Sequence, residues 1–211
     1  PLHHRRVPAK VARNTSIIRP AVLELPLPRA IDLLRSGFDA RGFHAYVRHL
    51  PIDALPGLRD AIPPHVPPLL NRIEAANVWI GDGGMASNVH YDGYDNLLLQ
   101  LAGTKTIHLW SPDARRALGY TPLAERRFVF DAATRAFSGH AATGRRAVEN
   151  HALHDALGGG SDGADDQVDV RVLWPVPSPM RCTLRPGDAL LLPALWSHAV
   201  ESAVRAGPSD V

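Results

Sequence analysis

The chain has 211 residues, 45% apolar and 21% charged, with a net charge of +2. That is enough for one sizeable core, and too little charge for a molecule whose whole surface binds nucleic acid or membrane. Its one cysteine, Cys182, excludes an internal disulfide and fits a reducing compartment, and no apolar run is long enough to span a bilayer.

Residues 1–25 read as a basic N-terminal arm, with Arg5, Arg6, Lys10, Arg13 and Arg19 ahead of the first acid, Glu24. A solvated arm and an organelle transit segment share this composition. Apart from that ambiguity, we expect an intracellular protein, cytoplasmic or nuclear. Residues 26–211 read as one domain, turn-rich and mainly β, since 19 prolines and 17 glycines leave few long helical patterns.

Residues 26–37 predict a short helix, opened by proline and stopped by Gly37. Strand-like spacing follows over 43–50, then a brief helix over 53–62 with Asp53 as its cap, then a proline-rich loop over 62–70. Strands crowd together next: 77–80, 87–92, 96–102 and 104–110, with Gly103 turning the last pair. The nearly continuous apolar run LLLQL predicts a strand covered on both faces. A short helix over 111–119 ends at Gly119.

Residues 131–169 carry the weakest pattern: one helical stretch in GRRAVENHALHDAL, then a flexible Gly/Asp-rich loop over 155–169. His151 and His154 stand at helical spacing, which reads as a surface face more readily than as a metal clip. Strands resume at 170–174, 180–184, 189–192 and 198–204. Short strands between Gly/Pro turns predict a sandwich or barrel.

The chemistry concentrates in the middle of the chain. On a strand, His90 and Asp92 point to one face, side by side, with Tyr91 turned away. His198 is the best third ligand. Two histidines and one carboxylate match the facial arrangement of non-haem Fe(II) oxygenases, and zinc with a water accepts the same set. Lys105 shares a strand face with Ile107 and Leu109, and no acid lies in its own strand or the one before. An ammonium on an apolar face is costly to bury without an anion. A bound carboxylate ligand supplies one, and snorkelling from the strand end beside Gly103 is the alternative.

Ser87, His90, Asp92, Asn96, Gln100, Gly103 and Lys105 fit the pattern S/T-x-x-H-x-D-x-x-x-N-x-x-x-Q-x-x-G-x-K. Leu184, Pro186, Gly187, Asp188, Leu190, Pro193, Trp196 and His198 fit L-x-P-G-D-x-L-x-x-P-x-x-W-x-H. In these motifs the chain resembles the JmjC-type, cupin-fold oxygenases, especially the small hydroxylase branch that includes the asparaginyl hydroxylase inhibiting hypoxia-inducible factor. The resemblance covers about residues 40–204 and implies a double-stranded β-helix (cupin or jelly-roll) barrel with a few peripheral helices.

It implies Fe(II) held by His90, Asp92 and His198, with 2-oxoglutarate and O₂ as co-substrates. Lys105 would pair with the distal carboxylate of 2-oxoglutarate, assisted by Ser87 and by Tyr46 in AYVRHLPIDALPGL, with Asn96 near the metal and co-substrate. Trp196 would pack, and His108 has no role. The substrate expected is a protein or peptide side chain, with tRNA as the other class that relatives modify.

Two departures carry expectations of their own. The family continues past His198 through a further strand, whereas AVRAGPSDV is a polar tail, so the barrel should be open beside the 198–204 strand. GGGSDGADD is unlike the family's usual segment. Two other readings stay open: a different metal-dependent cupin enzyme, and a cupin-fold binding module without turnover.

Overall fold

The computed structural model describes residues 2–4, 16–36, 43–55, 57–58, 73–131, 133–134, 136–144, 147–153 and 175–203. The proline-rich loop, the 155–169 loop, the 170–174 strand and His154 fall outside these residues, as does the helix expected beyond residue 58. None of the described helices is long and apolar enough to cross a membrane.

The elements run in the order β1 (Leu2–His4), β2 (Ser16–Arg19), α1 (Leu27–Ser36), β3 (Phe43–Pro51), β4 (Asn77–Gly81), β5 (His90–Tyr91), β6 (Asn96–Leu99) and β7 (Lys105–Trp110). They continue with α2 (Arg115–Leu118), β8 (Ala124–Asp131), β9 (Ala136–Ala142), β10 (Met180–Leu184), β11 (Ala189–Leu192) and β12 (Ser197–Ser202). The helix expected over 26–37 is α1. The one over 111–119 is a 3₁₀ turn running into α2, closed by Gly119 at φ 70°, whose N–H bonds the Arg115 carbonyl.

A major antiparallel sheet, ordered β10-β7-β12-β5, faces a two-stranded sheet of β11 and β6. Between them lie Ile107, Leu109, Leu184 and Leu192, with Leu98, Leu190, Trp196 and Val200 packed around. The other face of the major sheet is covered by Val89, Trp110 and Ala199 against Ala114, Leu118 and Ala152. Two facing antiparallel sheets around an apolar interior give the layering of a β-sandwich, which the jelly-roll shares. The expected mainly-β barrel with a few peripheral helices is what the chain forms. The run LLLQL is covered less fully than expected, since Leu101 at its end and Leu191 on the paired strand are exposed.

Two tight turns sit side by side at one end. Gly103 (φ 69°) turns β6 into β7 and Gly187 (φ 94°) turns β10 into β11. Gln100 stitches them: its N–H donates to the Asp188 carbonyl and its carbonyl accepts from Gly187 N–H, both at 2.9 Å. These motif residues build turns.

Two expectations need correction. The strand bearing His198 is not an open edge: β12 pairs with β7 along its whole length and with β5 on its other side. Residues 84–87 extend that second side, with Ser87 N–H on the Val200 carbonyl (2.8 Å) and Ser202 N–H on the Met85 carbonyl (2.7 Å). Residues 147–153 are extended, not helical, and bridge Leu123 to Val148, Tyr120 to Ala152 and His90 to His151. The sequence also failed to announce β8 and β9; β8 pairs with β2 on one side and with β9 on the other. Glu125, Arg126 and Arg127 interrupt the apolar alternation of β8, and periodicity is the signal such a reading depends on.

Candidate metal centre

His90 on β5 and His198 on β12 are direct register partners, and Asp92 follows β5 by one residue. One donor atom from each of the three lies within 4.8 Å of the others. The imidazoles are oriented alike. His90 Nδ1 bonds the Asn88 carbonyl at 2.8 Å and His198 Nδ1 bonds the Trp196 carbonyl at 3.1 Å. A ring that donates its Nδ1–H to a carbonyl presents a bare Nε2, the form a metal accepts. His198 Nε2 stands 3.9 Å from Asp92 Oδ2. Burial lowers the pKa of His198, opposed by its bond to Trp196 and by Asp92. Two imidazoles presenting Nε2 and one carboxylate, with donor atoms within 4.8 Å of one another, suit a divalent transition metal.

Asn96 does something the spacing did not reveal. Its side-chain amide donates to Asp92 Oδ2 at 2.8 Å, fixing the carboxylate rather than reaching away from it. The loop after β11 holds Asp92 from the other side: Leu195 N–H donates to the Asp92 carbonyl (2.8 Å), and Ala194 N–H to Asp95 Oδ1 (2.7 Å). Leu195 has φ 67° and His49 φ 54°, the non-glycine residues with positive φ among those described. His49 sits at a bulge in β3, its ring 4.2 Å from that of Trp79, and Asp92 acts on it electrostatically. Left-handed backbone at bulky residues is strained, and such strain collects at functional sites. Neither residue carries a local sequence signal.

Lys105 lies on the face that His198 occupies, since Leu109 opposes His198 and Ser202 opposes Lys105. That is four residues along the strand, or about 13 Å between the two rows. It is half-buried, desolvation lowers its pKa, and no described carboxylate pairs with it. Ser87 Oγ accepts Val200 N–H at 2.9 Å, which leaves the hydroxyl proton free to be donated elsewhere. Tyr46 opposes Gly81 across β3 and β4, and burial pushes its phenol up to about 12. A Cβ on residue 81 would stand 2.9 Å from Tyr46 Cδ2, so glycine is what lets this ring lie where it does. His108 faces the other side of β7, with Nε2 3.1 Å from Glu201 Oε2.

One neighbour of the centre differs from its expected surface position. His151 is buried, its ring stacked on that of His90 at 5.2 Å and 15°. The surface face expected at this position does not exist, because the helix expected to carry it does not form.

A jelly-roll with two histidines and a carboxylate gathered at its inner strands defines a cupin-type fold with a candidate metal site. The particular family follows from comparison: the model of the Cupin-like domain matches residues 7–210, and the chain belongs to that family, in its JmjC-type branch. The chain is similar to the human bifunctional peptidase and (3S)-lysyl hydroxylase JMJD7, 26% identical over 203 residues, covering 92% of this chain and 61% of the relative. It is also similar to the lysine-specific demethylases JMJ32 and JMJ31 of Arabidopsis thaliana, at 27% over 133 residues and 28% over 130. These matches cover 60% and 62% of this chain, and 36% and 19% of the relatives. The chain thus spans less than two thirds of each of these curated relatives.

Proposed function

We propose that the protein is an Fe(II)- and 2-oxoglutarate-dependent dioxygenase that hydroxylates a protein side chain. The observation that carries this is the joint placement of the His90–Asp92–His198 donors and an unpaired, half-buried Lys105 on one inner face. His90 and His198 would ligate iron through Nε2 and Asp92 through a carboxylate oxygen, with Asn96 holding that carboxylate in orientation. The ammonium of Lys105 would receive the distal carboxylate of 2-oxoglutarate, and the hydroxyls of Tyr46 and Ser87 would add hydrogen bonds. The buried interior of the jelly-roll would keep bulk water from the reacting atoms.

Iron and 2-oxoglutarate, when bound, supply the oxidation: O₂ is consumed, 2-oxoglutarate leaves as succinate and CO₂, and one oxygen atom enters a substrate C–H bond. Relatives named for hydroxylating or demethylating lysine support a protein substrate over tRNA.

Succinate formation from 2-oxoglutarate, measured with Fe(II) and with peptide or tRNA added, is the test. Peptide-stimulated succinate supports the reading, and stimulation by tRNA alone would move the substrate class. Metal binding without any succinate would leave a different metal-dependent cupin enzyme or an inactive binding module.

A further inference from the structure

β5 is only two residues long, yet it carries His90 and leads into Asp92. One side of it pairs with β12. Its other side is covered, among the described residues, by residues 150–152, which arrive from a distant part of the chain. Tyr91 N–H donates to the Asn150 carbonyl (3.1 Å), Ala152 N–H to the Val89 carbonyl (2.9 Å), and the Asn150 side-chain amide to the Tyr91 carbonyl (2.9 Å). This short extended segment turns β5 from an edge into an interior strand.

His151 stands at its centre, opposite His90. The His90 ring is thereby held between two others: His151 nearly parallel on one side, at 5.2 Å, and His198 tilted by 49° on the other, at 4.3 Å. His151 is itself held, its Nδ1 lying 3.0 Å from Asn150 Oδ1. The segment is anchored at its far end, where Leu153 N–H bonds the Gly119 carbonyl (3.0 Å) and Leu153 packs 3.5 Å from where a Cβ of residue 119 would stand.

We propose that His151 is a positioning residue for the metal centre: its ring is the back wall that keeps the His90 imidazole turned with Nδ1 on the Asn88 carbonyl and Nε2 towards the metal. The two register pairs to β12, at His90 and Tyr91, fix the strand backbone, and the ring face is met by what packs against it, which on this side is His151. Groups hydrogen-bonded to a ligating imidazole change metal affinity by about ten- to a hundredfold, and a stacked ring is expected at the lower end of that range. The inference rests on the reading of His90, Asp92 and His198 as ligands, but not on the reaction or its substrate.

Co(II) titration of the full chain, followed by visible absorption and by the hyperfine-shifted exchangeable ring N–H signals, tests it without turnover. The parent should bind one Co(II) and show two such signals, from His90 and His198. His151→Ala should weaken Co(II) binding by about tenfold and move or broaden the His90 signal while sparing that of His198. His151→Phe keeps a flat ring against His90 and should restore both. Asn150→Ala, which removes the side-chain contact to His151 Nδ1, should weaken binding in the same direction and carries the test if His151→Ala fails to fold. Equal affinity and unchanged signals in His151→Ala and parent would overturn the proposal alone. Equal loss in the Ala and Phe variants would overturn the stacking account. A parent that binds no Co(II) would remove the metal reading as well.

Discussion

His90 and His198 are register partners on adjacent antiparallel strands, with ring centroids 4.3 Å apart. Strand pairing between two distant parts of the chain thus sets the spacing of the two nitrogen donors, and Asp92 joins them because β5 ends just before it. Removing a donor should differ from removing a neighbour. His90→Ala, Asp92→Ala and His198→Ala should each abolish stoichiometric iron binding, read as metal content of purified protein. Asn96→Ala should weaken it without abolishing it, since it frees Asp92 but leaves all three donors.

Substitution of Lys105 should separate metal binding from co-substrate binding. Lys105→Ala should retain iron and raise the 2-oxoglutarate requirement roughly ten- to a hundredfold, the worth of a charge-assisted contact of about 1.5–3 kcal/mol. Lys105→Arg should restore it only in part, because the planar group presents its charge differently. A 2-oxoglutarate titration that gives the same curve for Lys105→Ala and parent would remove Lys105 from the site.

The same lysine predicts a pH dependence. Desolvation holds its pKa below the ordinary 10.5. Between the folded value and 10.5 the unfolded chain binds more protons, so stability rises as pH is raised through that window. Lys105→Met should abolish this rise. It should also raise Tm of the ligand-free protein at neutral pH, where the parent carries the half-buried charge at a cost. Thermal melts of parent and variant from pH 7 to 10.5 make the comparison.

Gly81→Ala should displace the Tyr46 ring, since the new methyl would stand 2.9 Å from Cδ2 and 3.2 Å from Cε2. Overpacking of this kind costs about 1–3 kcal/mol. Urea denaturation should show that loss, and 2-oxoglutarate should bind more weakly while iron content stays at the parental level.

Leu195→Gly tests the strain beside Asp92. Releasing left-handed backbone at a side chain is worth about 1–2 kcal/mol, against about 0.5–1 kcal/mol for the extra freedom of glycine in the unfolded chain. The side chain is 41% exposed, so Leu195→Gly and Leu195→Ala lose nearly the same partial burial, and their difference isolates the strain. Leu195→Ala keeps the strained backbone, so its urea midpoint should lie below that of Leu195→Gly.

The sequence by itself determined the local chemistry. The H-x-D spacing puts two donors on one strand face, Lys105 stands alone on an apolar face, and Gly103 and Gly187 mark turns that the chain makes with positive φ. Each of these is a relation between near neighbours, which is what strand periodicity and turn chemistry encode. The tertiary structure alone decided relations between distant segments. β12 has partners on both sides because residues 84–91 fold back along it, so the open edge expected beside His198 does not exist. Asn96 donates to Asp92, and β8 forms despite a charged, irregular pattern because β2 and β9 pair with it on its two sides. His151 reaches His90 because residues 150–152 are drawn out as a strand. Its helical spacing to His154 had pointed to the surface. A residue's backbone partners on another strand leave no trace in its own neighbourhood of the sequence, and pairing across the sheet overrides local propensity when it satisfies buried N–H and C=O groups.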